Sequence, residues 1–216
     1  MALINPGATH QWAVYLDFDE VTDYLQFDQP PTGSDAVKLQ RFINGACAQA
    51  QGPGGSNRPL CPTRVTERHD GWSGEYLMLL FSPLLSLDLC REWQSAGGFV
   101  GLPESTPESP TEGVQVDHST GRLMRTFAGY SWPRPFFPGS RNIEITYTAG
   151  FNPVPDDVWE ATMELVAWKW RNSQQATRTA PLRGGGEYDT DTSGLYPGMP
   201  SRIADVLGGY RLPTIG

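Results

Sequence analysis

Asn142-Ile-Glu-Ile-Thr-Tyr-Thr-Ala-Gly-Phe-Asn-Pro-Val-Pro-Asp-Asp-Val-Trp159 is a stretch in which a strand turns into a helix. Ile143, Ile145 and Tyr147 alternate with Asn142, Glu144, Thr146 and Thr148, the period of a half-buried strand. Ala149-Gly150 breaks that period, and Pro153 and Pro155 bar both a continuing strand and an early helix. Asp156 and Asp157 then supply acceptors where a helix starts, and the pattern predicts one running to about Asn172. Val158, Ala161, Leu165 and Trp168 make one apolar stripe along it; Trp159, Met163, Val166 and Trp170 make another. Two stripes mean burial on two sides. The helix is therefore either the centre of a bundle or lies between its own bundle and a neighbouring subunit, and its Trp content favours the interface.

Upstream, residues 1–18 read as an extended arm carrying Trp12, Tyr15 and Phe18, and a short helix is predicted over 19–27, before Pro30-Pro31. A second helix is predicted from Ser34 as N-cap to Gln51, with Ala36, Leu39, Ile43, Ala46 and Ala50 on one face. Gly52-Pro53-Gly54-Gly55 ends it. From Pro62 to Thr148 the period falls to two. Leu85, Leu87, Leu89 and Trp93 form an apolar face, residues 75–81 a nearly continuous buried run, and residues 64–70 a polar edge or exposed strand. Asp117-His-Ser-Thr-Gly121 signals a hairpin between residues 114–116 and 122–127, while 102–113 and 130–139 read as loops. Past the Trp-rich helix, residues 174–198 read as a long Gly-rich loop, followed by a short helix from Pro200 to Leu207. Ile203, Val206, Leu207 and Tyr210 give that helix one apolar face, to be docked on its own bundle or on another protein.

The resulting class is α+β: a helical bundle built from N- and C-terminal helices, with a β-rich domain inserted between them. The segments are residues 1–60 (arm and helices), 61–150 (β-rich), 151–173 (central helix), 174–198 (loop) and 199–216 (terminal helix and tail).

Composition narrows the function. Of 216 residues, 38% are apolar, with 24 Gly and 19 Pro, which suits long loops around short elements. The formal charge of −8 disfavours wrapping of nucleic acid, whose affinity comes mainly from phosphate neutralisation. Cys47, Cys61 and Cys90 are odd in number and lack metal-ligand spacing, so reduced thiols in a cytosolic setting are expected. No basic-apolar leader opens the chain and no apolar run approaches 18 residues, so neither export nor a membrane span is expected.

The order strand, Tyr-Thr-Ala-Gly-Phe, Val-Pro-Asp-Asp, Trp-bearing helix resembles the head–tail connector (adaptor, head-completion) proteins of long-tailed bacteriophages. The two opening helices and the closing Leu207-Gly-Gly-Tyr210-Arg-Leu-Pro213 resemble them too. The β-rich middle is longer than the loop of the smallest members. The resemblance implies a virion neck protein, assembled in the host cytoplasm as a homo-oligomeric ring, twelvefold. Such a ring docks on the portal above and a tail-side neck or tail terminator protein below, and it passes DNA without sequence-specific binding. It implies no enzyme activity and no cofactor. Subunit or portal contacts are expected at Trp159, Met163, Val166 and Trp170, and at Ile203, Val206, Leu207 and Tyr210, with residues from Pro200 onward ordering on the portal.

The competing class is a small hydrolase or ligand-binding protein using His69 and Asp70, which lacks a nucleophile elbow. Asp189 and Asp191 copy the start of a calcium loop, but Pro200 stands where the closing Glu is needed, so an acidic solvated loop is the expectation. Gly184-Gly185-Gly186 lacks the Lys-Ser/Thr of a phosphate cradle. No catalytic or metal site is expected.

Overall fold

The computed structural model describes residues 9–71, 74–94, 98–106, 108, 111–127, 130–178 and 199–211. The expected arm over residues 1–8 and most of the Gly-rich loop, with Asp189 and Asp191, lie outside them. Mixed α+β structure is what the chain adopts, divided into two compact units. One takes in Met1–Gln11 and Cys61–Asn152; the other takes in Trp12–Leu60 and Pro153–Leu212.

The first unit is all β: β1 (Thr9–His10), β2 (Thr63–Gly71), β3 (Tyr76–Met78), β4 (Leu84–Gln94), β5 (Gly98–Gly101), β6 (Gly113–Asp117), β7 (Arg122–Phe127), β8 (Tyr130–Arg134) and β9 (Gly139–Ala149). They form two antiparallel sheets, one ordered β1-β2-β9-β4-β5, the other β3-β7-β6 with β8 also paired to β7. Strand β9 is the alternating segment of the opening quotation. It runs between β2 and β4 and buries both faces from Asn142 to Tyr147. Ile143, Ile145 and Tyr147 are fully buried on one face. On the other, Thr146 hydrogen-bonds Thr66 at 3.0 Å, and Asn142 accepts from Gly71 N and donates to Phe137 O.

Four expectations for the β-rich segment need correction. Residues 64–70 are not an edge: β2 lies second in its sheet, with only the two-residue β1 beyond it. Its polar side chains have partners, and Glu67 is fully buried, accepting from Tyr147 Oη and Leu80 N, with His69 Nε2 at 2.6 Å. On β4, bulges at Leu84/Ser86 and Leu87/Leu89 shift the register. Each shift moves the following side chains to the opposite face. The two shifts cancel, so Leu84 before them and Cys90 and Glu92 after them point inward alike, while Leu85, Leu89 and Trp93 are exposed. In residues 75–81 only Tyr76–Met78 is strand, with Leu77, Leu79 and Phe81 buried and Tyr76 and Met78 exposed. Within the expected 130–139 loop, Tyr130–Arg134 is strand β8.

The β6–β7 hairpin has its expected place. Asp117 accepts from the backbone N–H and hydroxyl of both Ser119 and Thr120, and those hydroxyl bonds hold its carboxyl well below the usual range. The two sheets are tied by the Glu92 carboxylate, which pairs with Arg125 of β7 at 3.0 Å and accepts from Phe137 N.

The strand ends on Gly150, whose φ of +124° is closed to L side chains and whose Cβ would stand 2.2 Å from Cys61 O. Its N–H bonds Pro83 O at 3.0 Å. This is why Gly follows Ala149 in the junction.

The second unit is helical: α1 (Phe18–Tyr24), α2 (Gly33–Gln51), α3 (Asp156–Arg178) and α4 (Ser201–Gly209). Asp17 caps α1 through Asp19 N at 2.9 Å, as an Asp N-cap should. The N-cap of α2 is Thr32 rather than Ser34, and Leu39, Ile43, Ala46, Cys47 and Ala50 are its buried face. Gln51, fully buried at its end, donates to Ala13 O and Cys47 O and accepts from Leu60 N. Helix α3 opens at Asp156 and continues to Arg178, past the expected end at Asn172. The residues 174–178 assigned to a loop are thus helical, because nothing from Asn172 to Arg178 is Gly or Pro. Helices α1, α2 and α4 all contact α3.

Replacing Gly150 by Ala is expected to cost about 3 kcal/mol through backbone strain and the clash with Cys61 O. Replacing Tyr147 by Phe, which strips the buried Glu67 of a donor, should cost about 2 kcal/mol. Urea unfolding followed by tryptophan fluorescence measures both; a loss under 0.5 kcal/mol, roughly that of an ordinary surface change, contradicts either assignment.

Candidate functional site

The expected contact residues divide by burial. Met163, Val166, Ile203 and Leu207 are buried within the chain itself and offer no surface to a second molecule. Trp159, Trp170, Val206 and Tyr210 are half-buried. Trp170 is seated on its own unit: its ring meets Phe27 and Phe42 edge-on at 5.3 and 6.3 Å, and Lys38 Nζ lies 5.5 Å from its centroid. The stripe read as meeting a neighbour is thus covered at this point by the N-terminal helices.

Around the helix, Arg202 of α4 reaches Glu164 at 3.2 Å and Glu160 at 3.9 Å. Tyr210 Oη donates to Asp157 at 2.7 Å, which raises the phenol's pKa above its ordinary value. Arg211 donates to Pro53 O and Gly55 O, the loop that ends α2. Helix α4 therefore docks on its own unit, the simpler of the two expectations. Its apolar face was legible, but the sequence carries no mark of which surface would receive it.

The enzyme candidates do not converge. His69 turns to Glu67, whereas Asp70, the next residue along the strand, accepts from Ser140 Oγ and Arg141 N. His118 is placed on the hairpin turn, 2.9 Å from Glu104 and 3.2 Å from Leu84 O. All three thiols are buried and outside any disulfide; burial, aided by Glu92, pushes Cys90 up to about 12, so it is not a thiolate nucleophile near neutral pH. Among the described residues, no group of three or more His, Cys, Asp or Glu side chains could hold a metal ion, and no helix is long and apolar enough to cross a membrane.

What the sequence reading missed is the outward face of the β1-β2-β9-β4-β5 sheet. The register places Arg68, Glu144 and Arg91 side by side across three strands. Arg68 and Arg91 reach Glu144 at 2.8 and 2.6 Å. Burial pushes the Glu144 carboxyl up, but the hydrogen bonds and charges of the two arginines outweigh it and hold it below its ordinary value. Beside this trio, Trp93 and Phe99 pack edge to face with ring centroids 5.0 Å apart, and the Arg91 guanidinium lies 4.2 Å over Phe99. The alternation of Leu89, Arg91 and Trp93 was visible; that this row faces outward was not.

Compared by sequence, the chain matches no protein-family profile and no curated protein. Compared by structure, it is similar to a chain from the neck of an empty gene transfer agent (GTA) particle computed with C6 symmetry, with a TM-score of 0.60 and 19% identity, covering 94% of each chain. It is likewise similar to chains from the virion of a native GTA particle (0.59, 20%) and from the neck of a native GTA particle computed with C12 symmetry (0.58, 19%), again over 94% of each chain. At such identity the likeness is one of fold.

Two outcomes follow from the geometry. Met163→Ala is expected to cost about 3 kcal/mol and Trp170→Ala about 2 kcal/mol in denaturant unfolding of the free chain; an unchanged midpoint would mean that neither side chain is core. Because its folded pKa is depressed, Glu144 stabilises the fold above the ordinary value of 4.5, and that contribution is lost as pH falls below it towards the folded value. Glu144→Gln should therefore cost about 2 kcal/mol at neutral pH, with the difference from wild type shrinking below about pH 4. A difference constant with pH would contradict the pairing.

Proposed function

We propose that this chain is a structural protein of a phage-type neck, the head-to-tail adaptor that joins the portal to the tail. The observation that carries the reading is the likeness, over 94% of both chains, to proteins of particle necks. The junction at residues 142–159, which resembles connector proteins, supports it from the sequence side. In this reading copies assemble as a ring, twelvefold, beneath the portal and above a tail-side neck or tail terminator protein. The C6 and C12 symmetries with which those necks were computed agree with a ring. The helices of the two ends form one bundle around α3, and the β-rich unit is an insertion into it. The residues from 199 onward remain the candidate for portal docking; with α4 seated on α3, that role falls to exposed groups such as Arg202 rather than to Ile203 or Leu207.

A ring of acidic subunits suits a channel through which DNA slides, since a wall short of Lys and Arg cannot neutralise phosphates tightly. Release of the genome along that channel then needs no enzymatic step by this chain. A virion location, with assembly in the host cytoplasm, completes the reading.

Particles produced without this protein are expected to accumulate as DNA-filled heads and separate tails under the electron microscope, and complementation should rejoin them. Normally tailed, infectious particles in its absence would refute the adaptor role. Isolated protein is expected not to retain duplex DNA at moderate salt; tight retention that falls steeply with salt would refute a passive channel wall.

A further inference from the structure

Two surfaces of the β unit are left over once its cores are accounted for. The first is the outward face of β4 and β5. Leu89, Arg91 and Trp93 stand in a row on β4, and Phe99 pairs beside Trp93 on β5. Trp93 is 48% exposed, Phe99 46% and Leu89 39%. Large apolar groups scattered singly are ordinary on a surface, but here an indole and a phenyl ring pack on each other and on a guanidinium. Aromatic rings beside Arg are the composition of contact centres. The same face is locally basic within an acidic chain, because Arg64, Arg68 and Arg91 face only Asp88 and Glu144.

The second surface is the segment that crosses the edge of β6. Residues 102–117 hold Glu104, Glu108, Glu112 and Asp117 with no Lys or Arg. Glu104, Glu108 and Glu112 are exposed, and Glu104 forms a parallel bridge with Val114.

We infer that the Leu89–Arg91–Trp93–Phe99 face is one half of a head-to-tail contact between copies of this chain, and that it receives the Glu104–Glu108–Glu112 segment of the next copy. The inference rests on the ring reading and names its contact. A ring needs a heterologous interface, two different surfaces on each copy that complement one another. The β unit carries such a pair: a basic face with aromatic rings at its centre, and an acidic, Pro-rich segment in which Glu108 is exposed while Glu104 lies 2.9 Å from His118 and Glu112 3.8 Å from Arg125. Of the stripe which the sequence offered for this purpose, Met163 and Val166 are buried inside the chain and Trp170 packs on Phe27 and Phe42. Bases could stack on the same rings, so single-stranded nucleic acid is the competing occupant.

Sedimentation velocity of the full-length chain over a concentration series tests it, with Trp93→Ala/Phe99→Ala and Glu108→Lys as the variants. Trp93, Phe99 and Glu108 are solvent-accessible, so thermal unfolding should show both variants folded as wild type. Each variant is expected to weaken self-association about tenfold or more, and salt should weaken the wild type. A second readout mixes Trp93→Cys chains with Glu108→Cys chains: a short bismaleimide should join unlike chains and leave each alone uncoupled. Wild-type oligomers unaffected by both variants would overturn this contact while leaving the ring reading intact. A wild-type chain that stays monomeric at every concentration overturns the contact as well, and the ring is then judged by imaging of particle necks. Binding of oligo-dT lost in Trp93→Ala/Phe99→Ala, without any change in association, assigns the face to nucleic acid and likewise overturns it.

Discussion

A strand covered on both faces must satisfy every polar side chain it carries, and β9 carries Asn142, Glu144 and Thr146 between its apolar residues. The rest of the β unit is arranged around that requirement. Arg68 of β2 and Arg91 of β4 converge on Glu144 from the two flanking strands, so one carboxylate fixes the register on both sides. Across the sheet, Tyr147 places its hydroxyl on the buried Glu67 and accepts from Phe81 N, and burial with that neighbouring charge drives the phenol's pKa upward. Slipping either pairing by one residue would put a carboxylate against hydrocarbon on one face and an isoleucine against water on the other.

The same strand explains how far the sequence could be read. Elements set by local signals were legible: the α2 face, the Asp117 turn, the start of α3 at Asp156 and the α+β class all follow from periodicity, capping and Gly/Pro placement. Elements set by partners were not. Residues 64–70 look solvated because their polarity is satisfied by side chains roughly 80 positions away, such as Thr146 and Tyr147, and no local window contains that information. The two bulges in β4 cancel, so Leu84 before them and Cys90 and Glu92 after them share the inward face; the alternation was legible, but the apolar row Leu85, Leu89 and Trp93 is the outward one.

Helix α3 gives the complementary case. Its two stripes do mean two-sided burial, but the second cover comes from within the chain. Phe27, Phe42 and the Lys38 stem close over Trp170, while α4 closes over the side bearing Glu160 and Glu164. A tryptophan-rich stripe is thus an equally good fit to a bundle centre and to an interface, since both ask for large apolar groups at helical spacing. Only the presence of a second internal cover decides between them, and α4 lies far down the chain, beyond a Gly-rich stretch whose length conceals the relation.

Once α3 is accounted for, exposed hydrophobicity becomes the better guide to where contacts remain to be made. Among the described residues of the helical unit it amounts to the separated side chains Val14, Tyr24 and Val37. In the β unit the exposed large groups sit on adjoining strands, Leu85, Leu89 and Trp93 on β4 beside Phe99 on β5, and Tyr76 and Met78 on β3. Sheets concentrate what helices disperse: neighbouring strands lie about 4.8 Å apart, so residues of like orientation on β4 and β5 merge into one surface. A helix turns its exposed side chains through 100° per residue and scatters them. The short β5, four residues bounded by Gly98 and Gly101, also ends its sheet with an open row of backbone groups. Arg91, ion-paired to Glu144 and stacked on Phe99, keeps that edge from presenting bare hydrocarbon to the solvent.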